Sequence, residues 1–446
     1  MKFVIKLFPE ITIKSRPVRK QFINQLKRNI KQTLAYHEVD SGIQGSWDNI
    51  EVNIKSETEE SVIREILKRI TGIHSILTVK EFNFETFDDI VSIAKDVYSD
   101  SIKDKTFCVR VKRSGTHDFK STDVERYVGG GLLEHCEPKS VDLYNPEFTV
   151  KMEIRKQRLL TISSIDKGMG GYPLGSQGAV LSLVSGGFDS NVASYLLNRR
   201  GLQTHFLFFN LGGAAHEIGV KQVAHYLWEK YSVSHGVKFV TVPFEGVVSE
   251  ILTQVDNSQM GVILKRMMLR AATKVAEDLA IEALVTGESI AQVSSQTLRN
   301  LTVIDSVTDM LVLRPLVSMD KPEIIEISRE IGTYDFAASM PEYCGVISVK
   351  PTTKAKPERI EKEESNFNFE VLDQAIADAR FERIKNVLAS SDGVTDIELV
   401  QVPETNDLVV DIRHPQEEEQ SPLHLPNNEI IKIPFYELNN KLEELP

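Results

Sequence analysis

The pattern of apolar and polar positions along the chain changes near residue 179. Before that point, residues 3–8 alternate as a strand does. Across 17–35, Phe22, Ile23, Leu26, Ile30 and Leu34 recur at helical spacing, with Arg19, Lys20, Lys27, Arg28 and Lys31 largely on the opposite face. A strand at 49–54, a helix at 62–70, a strand at 75–80, a helix at 88–98 and a strand at 107–111 follow. Residues 142–145, 148–154 and 159–163 read as further strands. Residues 166–178 hold five glycines and a proline, which marks a boundary. Beyond it, short apolar strands at 179–184, 204–209, 238–242, 283–286 and 311–313 alternate with helices, among them 262–280. This alternation is the signature of a doubly wound parallel sheet, an α/β fold. Residues 357–395 read as helical and acidic, and 396–446 return to strand patterning.

Composition narrows the class. Hydrophobic residues make up 41% and charged residues 26% of the 446, the values of a globular chain. No apolar run approaches the roughly 20 residues that cross a bilayer, so no membrane partner is expected. The first ten residues read as a strand instead of a secretory signal. Cys108, Cys136 and Cys344 cannot build a disulfide framework, and a reducing cytoplasm is the expectation. Net charge is −12, but it is unevenly placed. Residues 357–446 carry 8 basic and 21 acidic groups, whereas residues 1–36 carry 9 basic groups and only Glu10 acidic. A basic N-terminal face, with Arg16, Arg19 and Lys20, suits a nucleic-acid backbone, and a solvated lysine-rich face is the alternative reading. Lys112 and Arg113 extend the basic set after the strand at 107–111.

The apolar run 179–184 breaks into Ser185, Gly186 and Gly187, then Asp189 and Ser190, ahead of a helix. A buried strand, a small-residue turn and a helix N-terminus make an anion site, since first-turn N–H groups and the helix dipole converge there. Asp189 and Ser190 read either as N-caps or as part of that site. A carboxylate beside phosphates calls for a cation, so Asp189 implies Mg²⁺. Leu183 and Val184 end the strand, where backbone groups can read an adenine edge. Lys265 lies on an amphipathic helix, where the pattern alone leaves a surface lysine and a functional one equally open. Gly287 allows close backbone approach, and Gln296 offers both donor and acceptor. Lys321 sits at a helix start, where the dipole opposes a cation and so favours an anionic neighbour. Cys344 lies among turn residues beside Gly345, a setting for a reactive thiol. Cys108 and Cys136 read as small buried hydrophobes.

The turn at 185–190 resembles the Ser-Gly-Gly-x-Asp-Ser loop of the ATP pyrophosphatase (PP-loop) family, which splits ATP between the α- and β-phosphates. Longer segments, at 110–119, 168–178, 210–218, 265–270, 292–298 and 340–348, resemble the ThiI family of tRNA 4-thiouridine synthetases (tRNA sulfurtransferases). The resemblance implies a ferredoxin-like domain over 1–60, a THUMP RNA-binding domain over 61–165 and a Gly-rich linker over 166–178. It further implies a PP-loop adenylating domain over 179–395 and a partial rhodanese-like segment over 396–446. ATP contacts would fall on Leu183, Val184, Ser185, Gly186, Gly187, Ser190, Lys265, Gly287 and Gln296. Asp189 and Lys321 would be catalytic, and Cys344 would attack a persulfide and form a disulfide that is later reduced. The family's implied partners are tRNA, modified at uridine 8, and a cysteine desulfurase, with a second role in sulfur supply for the thiazole of thiamine. Two departures stand out. Ser289-Ile290-Ala291 replaces the family's Ala-Leu-Gly, a change expected to be tolerated. The persulfide-bearing cysteine of the family's long form lies in a rhodanese loop that this sequence does not contain, so sulfur is expected to be supplied in trans.

The reading is ATP-dependent 4-thiolation of tRNA uridine. Another PP-loop activity, such as amidation or 2-thiolation, and a non-catalytic RNA-binding protein are the alternatives. Nothing in the sequence fixes the oligomeric state; a homodimer is the commonest assembly. If the basic face binds RNA, raising salt from 50 to 200 mM should weaken tRNA binding at least about tenfold in a filter-binding assay. A flat salt response would remove that assignment.

Overall fold

Strand β1 (Lys2–Leu7) buries Phe3, Ile5 and Leu7 on one face and turns Lys2 and Lys6 to the other. The computed structural model describes residues 1–211, 213–340, 350–389, 403–405, 407–413 and 422–433. The chain divides into two compact units, 1–176 and 177–446.

In the first unit β1 is followed by α1 (Pro9–Thr12), α2 (Arg16–Tyr36), β2 (Ser41–Gly45), β3 (Asn49–Ile54), α3 (Glu60–Lys68) and β4 (Ile73–Asn83). Then come α4 (Phe87–Ile102), β5 (Thr106–Ser114), α5 (Ser121–His135), β6 (Ser140–Val141), β7 (Phe148–Arg155) and β8 (Arg158–Lys167). All eight strands join one sheet in the order β2-β3-β1-β4-β8-β7-β5-β6. Two cores form on it: α2 and α3 pack on β1 and β3 around Leu26, Ile30 and Ile63, and α4 and α5 pack on β5 and β7 around Ile90, Val124 and Val128. The opposite face pairs Lys2 with Glu51, Lys6 with Glu153 and Arg155 with both acids.

Several expectations change here. Ile63, Ile66 and Leu67 of α3 belong to the core built by residues 3–54, so a division after residue 60 would cut through that core. Residues 166–178 do not form a free linker. β8 runs to Lys167, Gly168 and Gly170 donate to the carbonyls of His74 and Ile73, and Tyr172 is buried in the first core. Residues 142–145 form no strand, because the Asp142 carboxylate accepts the Tyr144 and Asn145 N–H groups and folds a local turn instead. Helix α5 has no counterpart in the sequence reading: its three consecutive glycines, Gly129–131, interrupt the apolar period. Gly131 leaves room for Val91 of α4.

The second unit begins β9 (Ala179–Leu183), α6 (Phe188–Arg199), β10 (Gln203–Asn210), α7 (Ala214–Tyr231), β11 (Lys238–Pro243), α8 (Glu245–Gln254), α9 (Met260–Asp278) and β12 (Ala283–Val285). It continues with α10 (Leu298–Asp305), β13 (Leu311–Leu313), α11 (Lys321–Ile331), α12 (Tyr334–Ala338), α13 (Pro357–Glu364), α14 (Phe369–Ala377) and β14 (Arg380–Arg383). Strand order is β13-β12-β9-β10-β11-β14, parallel except for the antiparallel edge strand β14. β9 alternates between two cores, Leu181 facing α8 and α9 and Val180 facing α6 and α7, as a sheet covered on both faces requires. β15 (Val409–Asp411) and β16 (Ile430–Lys432) form a separate parallel pair. No described helix is long and apolar enough to cross a membrane.

β14 replaces the end of the expected 357–395 helix. It is fastened by charge: Arg380 donates to Glu217 at 2.7 Å, and Lys221 bridges Glu217 at 3.0 Å and Glu382 at 2.7 Å. Burial pushes the Glu217 carboxyl up, but its bonds to Lys221 and Arg380 outweigh that and hold it below the ordinary value of 4.5. A carboxyl depressed in the fold stabilises above its unfolded value, and the gain is lost as pH falls through the folded one. Urea unfolding should therefore show stability declining below about pH 4.5. Glu217→Gln should cost about 2 kcal/mol at pH 7 and flatten that decline. An unchanged acid limb in the variant would show that the network does not contribute.

Candidate nucleotide site and nucleic-acid surface

β9 ends at Leu183 and α6 begins at Phe188, so residues 184–187 make the whole turn. Gly186 adopts φ +82°, open to glycine at little cost, and Gly187 is the N-cap, with no side-chain hydrogen bond to the helix. The first-turn N–H groups of α6 are thus presented at the strand end as an anion cradle. Asp189 occupies the second helical position and is not the cap.

The turn is held from behind. Ser190 Oγ accepts the Ser185 N–H and donates to the Gly187 carbonyl, both at 3.3 Å. Buried Asn191 donates to the Gly186 carbonyl at 3.0 Å. His216, buried on α7 with its ring edge-on to Phe208, brings Nε2 to 3.1 Å from the Ser185 carbonyl. Burial pushes His216 below its ordinary value of 6.5, so at neutral pH it donates from Nε2 as a neutral ring. Met340 covers the turn: a Cβ on Gly186 would lie 2.9 Å from its Cε, and one on Gly219 of α7 only 2.5 Å.

The opposite wall is the segment after β12. A Cβ at Gly287 would lie 2.6 Å from Asp189 C and 2.7 Å from Ser190 N, so only glycine allows this approach to α6. The chain runs from β9 to β10 on one side, while β12 flanks β9 on the other; this is the switch point at which doubly wound sheets take their ligands.

Asp189 stands between the walls. Its Oδ1 accepts from Lys321 Nζ at 2.7 Å, and its Oδ2 accepts from Gln292 Nε2 at 2.8 Å. Lys321 opens α11, behind the capping box of Asp320 and Glu323, with Nζ 5.4 Å from the Phe188 ring centre. The anion beside this unfavourably placed cation is Asp189. Lys265 is half-buried, 3.9 Å from Glu288. Buried Glu288 also accepts from Arg314 at 2.8 Å and from the Thr286 hydroxyl at 2.9 Å, so a fixed carboxylate orients the lysine. Gln296 is buried, and its Oε1 has no partner among the described residues. Leu183 is half-buried, while Val184 is buried and donates its N–H to the Leu207 carbonyl at 2.8 Å. Cys344 lies outside the described residues. Cys108 is buried, as expected, but Cys136 is only half-buried.

Among the described residues no three of His, Cys, Asp and Glu come together as metal ligands. One carboxylate beside a phosphate cradle nevertheless suits Mg²⁺, which takes one or two protein carboxylates and substrate phosphates.

In the first unit Arg16 and Lys20 are exposed on α2, and Lys112 is exposed on β5. Arg19 and Arg113 are partly engaged within the protein. Arg19 donates to the Thr12 carbonyl at 2.9 Å and lies over Trp47, and Arg113 donates to the His117 carbonyl at 3.2 Å and lies over Phe119. An open groove of about 860 Å³ between α2 and β2 is lined by Lys20, Lys27, Arg28 and Lys31, with no acidic residue among the described residues of its wall.

Sequence reasoning did not single out Asn191, His216, Gln292 or Met340. The one available signal was Gly219, a glycine inside a helical pattern, which calls for a packing partner.

The profile described as "Thiamine biosynthesis protein (ThiI)" matches residues 175–369, a THUMP domain profile matches 84–163 and a ThiI ferredoxin-like domain profile matches 2–76. The chain is 54% identical to the tRNA sulfurtransferase of Shewanella amazonensis, covering all of this chain and 93% of that one. It is 53% identical to the tRNA sulfurtransferase of Shigella dysenteriae, covering 100% and 92%. A crystal structure of a 4-thiouridine synthetase–RNA complex with bound ATP superposes with a TM-score of 0.76 at 27% identity, covering 86% of this chain and 99% of that one. With its Ser-Gly-Gly-x-Asp-Ser turn, its THUMP and ferredoxin-like segments and full-length identity above one half, the chain belongs to the ThiI family of tRNA sulfurtransferases.

Proposed function

We propose that this chain adenylates a tRNA uridine at O4 and replaces that oxygen with sulfur, giving 4-thiouridine. The carrying observation is the turn at 185–190 with Asp189 and Lys321 paired at 2.7 Å, in a chain 54% identical to a tRNA sulfurtransferase over its whole length.

ATP enters with its β- and γ-phosphates on the α6 N-terminus. Uridine O4 attacks the α-phosphorus, the bond to pyrophosphate breaks, and the N3 proton passes to water as C4 becomes an imidate ester. Lys321 supplies positive charge where the α-phosphate gains negative charge, and Asp189 holds that amine in place. Mg²⁺, held by Asp189 and the phosphates, would neutralise the departing pyrophosphate. Lys265 and the Gln296 amide contact the nucleotide, with Gly287 keeping the walls close. A persulfide sulfur then adds at C4 and AMP leaves; the thiolate form is populated at neutral pH and needs no further activation. In this reading Cys344 attacks the carrier sulfur of the resulting base–carrier disulfide, which releases 4-thiouridine and leaves a Cys344–carrier disulfide for an external thiol to reduce; a cysteine desulfurase loads the carrier. The modified base is uridine 8, and the same sulfur could serve thiamine thiazole. The protein works in the cytoplasm, where its tRNA is. Exposed Arg16, Lys20 and Lys112, with Arg19 and Arg113 behind them, bind the RNA backbone.

Asp189→Ala should lower thiolation at least about a hundredfold, measured as 4-thiouridine absorbance, while tRNA affinity stays within about twofold. Retained turnover would overturn the assignment. Gly287→Ala, which must push β12 and α6 apart, should raise the KM for ATP at least about tenfold. An unchanged KM would place the nucleotide elsewhere.

A further inference from the structure

The segment between β12 and α10 contains one strained residue, held by hydrogen bonds on both sides. Ala291 adopts φ +66°, a left-handed conformation that costs an alanine about 1–2 kcal/mol. It is held there by hydrogen bonds from Ala291 N to the Gln296 carbonyl at 3.0 Å, from Ile290 N to the Val317 carbonyl at 3.1 Å and from Ser289 Oγ to the Met319 carbonyl at 2.8 Å. The strained residue is followed directly by Gln292. A carboxylate accepts hydrogen bonds and cannot donate them, so the bond to Asp189 fixes the NH₂ side of the Gln292 amide. Its carbonyl oxygen, Oε1, is then left buried and without a partner among the described residues. A buried unpaired carbonyl costs free energy and calls for a donor.

The donor cannot be the triphosphate, whose oxygens only accept at this pH. Gln296, four residues on, presents a second buried carbonyl unpaired among the described residues and suited to the nucleotide. The carbonyl tied to Asp189 lies beside the reacting groups, where the uridine must bring O4. In uracil the neighbour of O4 on the ring edge is the N3–H donor; in cytosine the same position is a bare acceptor. A base drawn out of its pairing arrives with that donor unpaired.

We propose that Gln292 is the positioning residue for the base: its NH₂ orients Asp189 and its carbonyl accepts the uracil N3–H, which places O4 for attack and rejects cytosine. This rests on the adenylation reading above. The contact selects the entering base and ends when adenylation removes the N3 proton, so it acts on tRNA KM, while the NH₂ bond to Asp189 acts on kcat.

The test uses the full chain, Gln292→Met (similar length, no amide), and two transcripts that differ only in uridine or cytidine at the modified position. Pyrophosphate release gives KM for the uridine transcript, and inhibition of that release gives the affinity of the cytidine transcript. The wild type should hold the uridine transcript about tenfold more tightly, and the variant should hold both alike, with KM for ATP within about twofold. Equal discrimination in both proteins, or a change confined to ATP KM, overturns the proposal. Absence of tRNA-dependent pyrophosphate release in the wild type would instead overturn the adenylation reading itself. Gln292→Leu in the same assay, with its thermal melt, separates a folding defect from loss of discrimination.

Discussion

The second unit depends on one close approach, that of the backbone at Gly287 to the first turn of α6. At 2.6–2.8 Å from a built Cβ to Asp189 and Ser190 backbone atoms, the contact admits no side chain. It sets the width of the crevice and brings Gln292 and Lys321, from two later elements, onto one carboxylate. Because Asp189 is helical and not a cap, its oxygens face the crevice, and the helix N–H groups stay available to an anion. The order of the strands puts this approach at the sheet's switch point, where neighbouring loops diverge and leave room for a ligand.

Across the second unit, charges are placed by other buried charges. Glu288 holds Lys265 and Arg314, Glu217 holds Lys221 and Arg380, and Glu364 holds Arg266 and Arg270. Such pairs give modest net stability, because desolvation offsets much of the attraction. What they provide is direction: an amine or guanidinium with a fixed partner cannot wander. The turn at 185–190 has the same design with neutral groups, since Ser190 takes two backbone groups of residues 185–187 and Asn191 and His216 take one each.

Much of this was legible in the chain itself. The strands of the doubly wound sheet, the 185–190 turn, the amphipathic α2 and the unfavourably placed Lys321 follow from periodicity, glycine placement and the helix dipole, which are all local. The failures were local readings overruled by distant groups. Residues 142–145 had strand composition until the Asp142 carboxylate captured two N–H groups. The end of an acidic helical stretch became β14 because Glu217 and Lys221, on α7, fasten Arg380 and Glu382. A Gly-rich run that looks like a linker is pinned by carbonyls on β4 and by burial of Tyr172.

The sequence by itself determined the fold class, the small-residue turn between β9 and α6 and the division between a basic N-terminal face and an acidic C-terminal stretch, because each depends on residues near one another in the chain. Only the tertiary structure decided what faces Asp189. Gln292 and Lys321 stand 103 and 132 residues away from it, and no period or local motif encodes that they meet. The same holds for His216 on the Ser185 carbonyl and Met340 over Gly186 and Gly219. Such contacts come from packing two faces of a sheet around a crevice, and packing is a property of the whole unit.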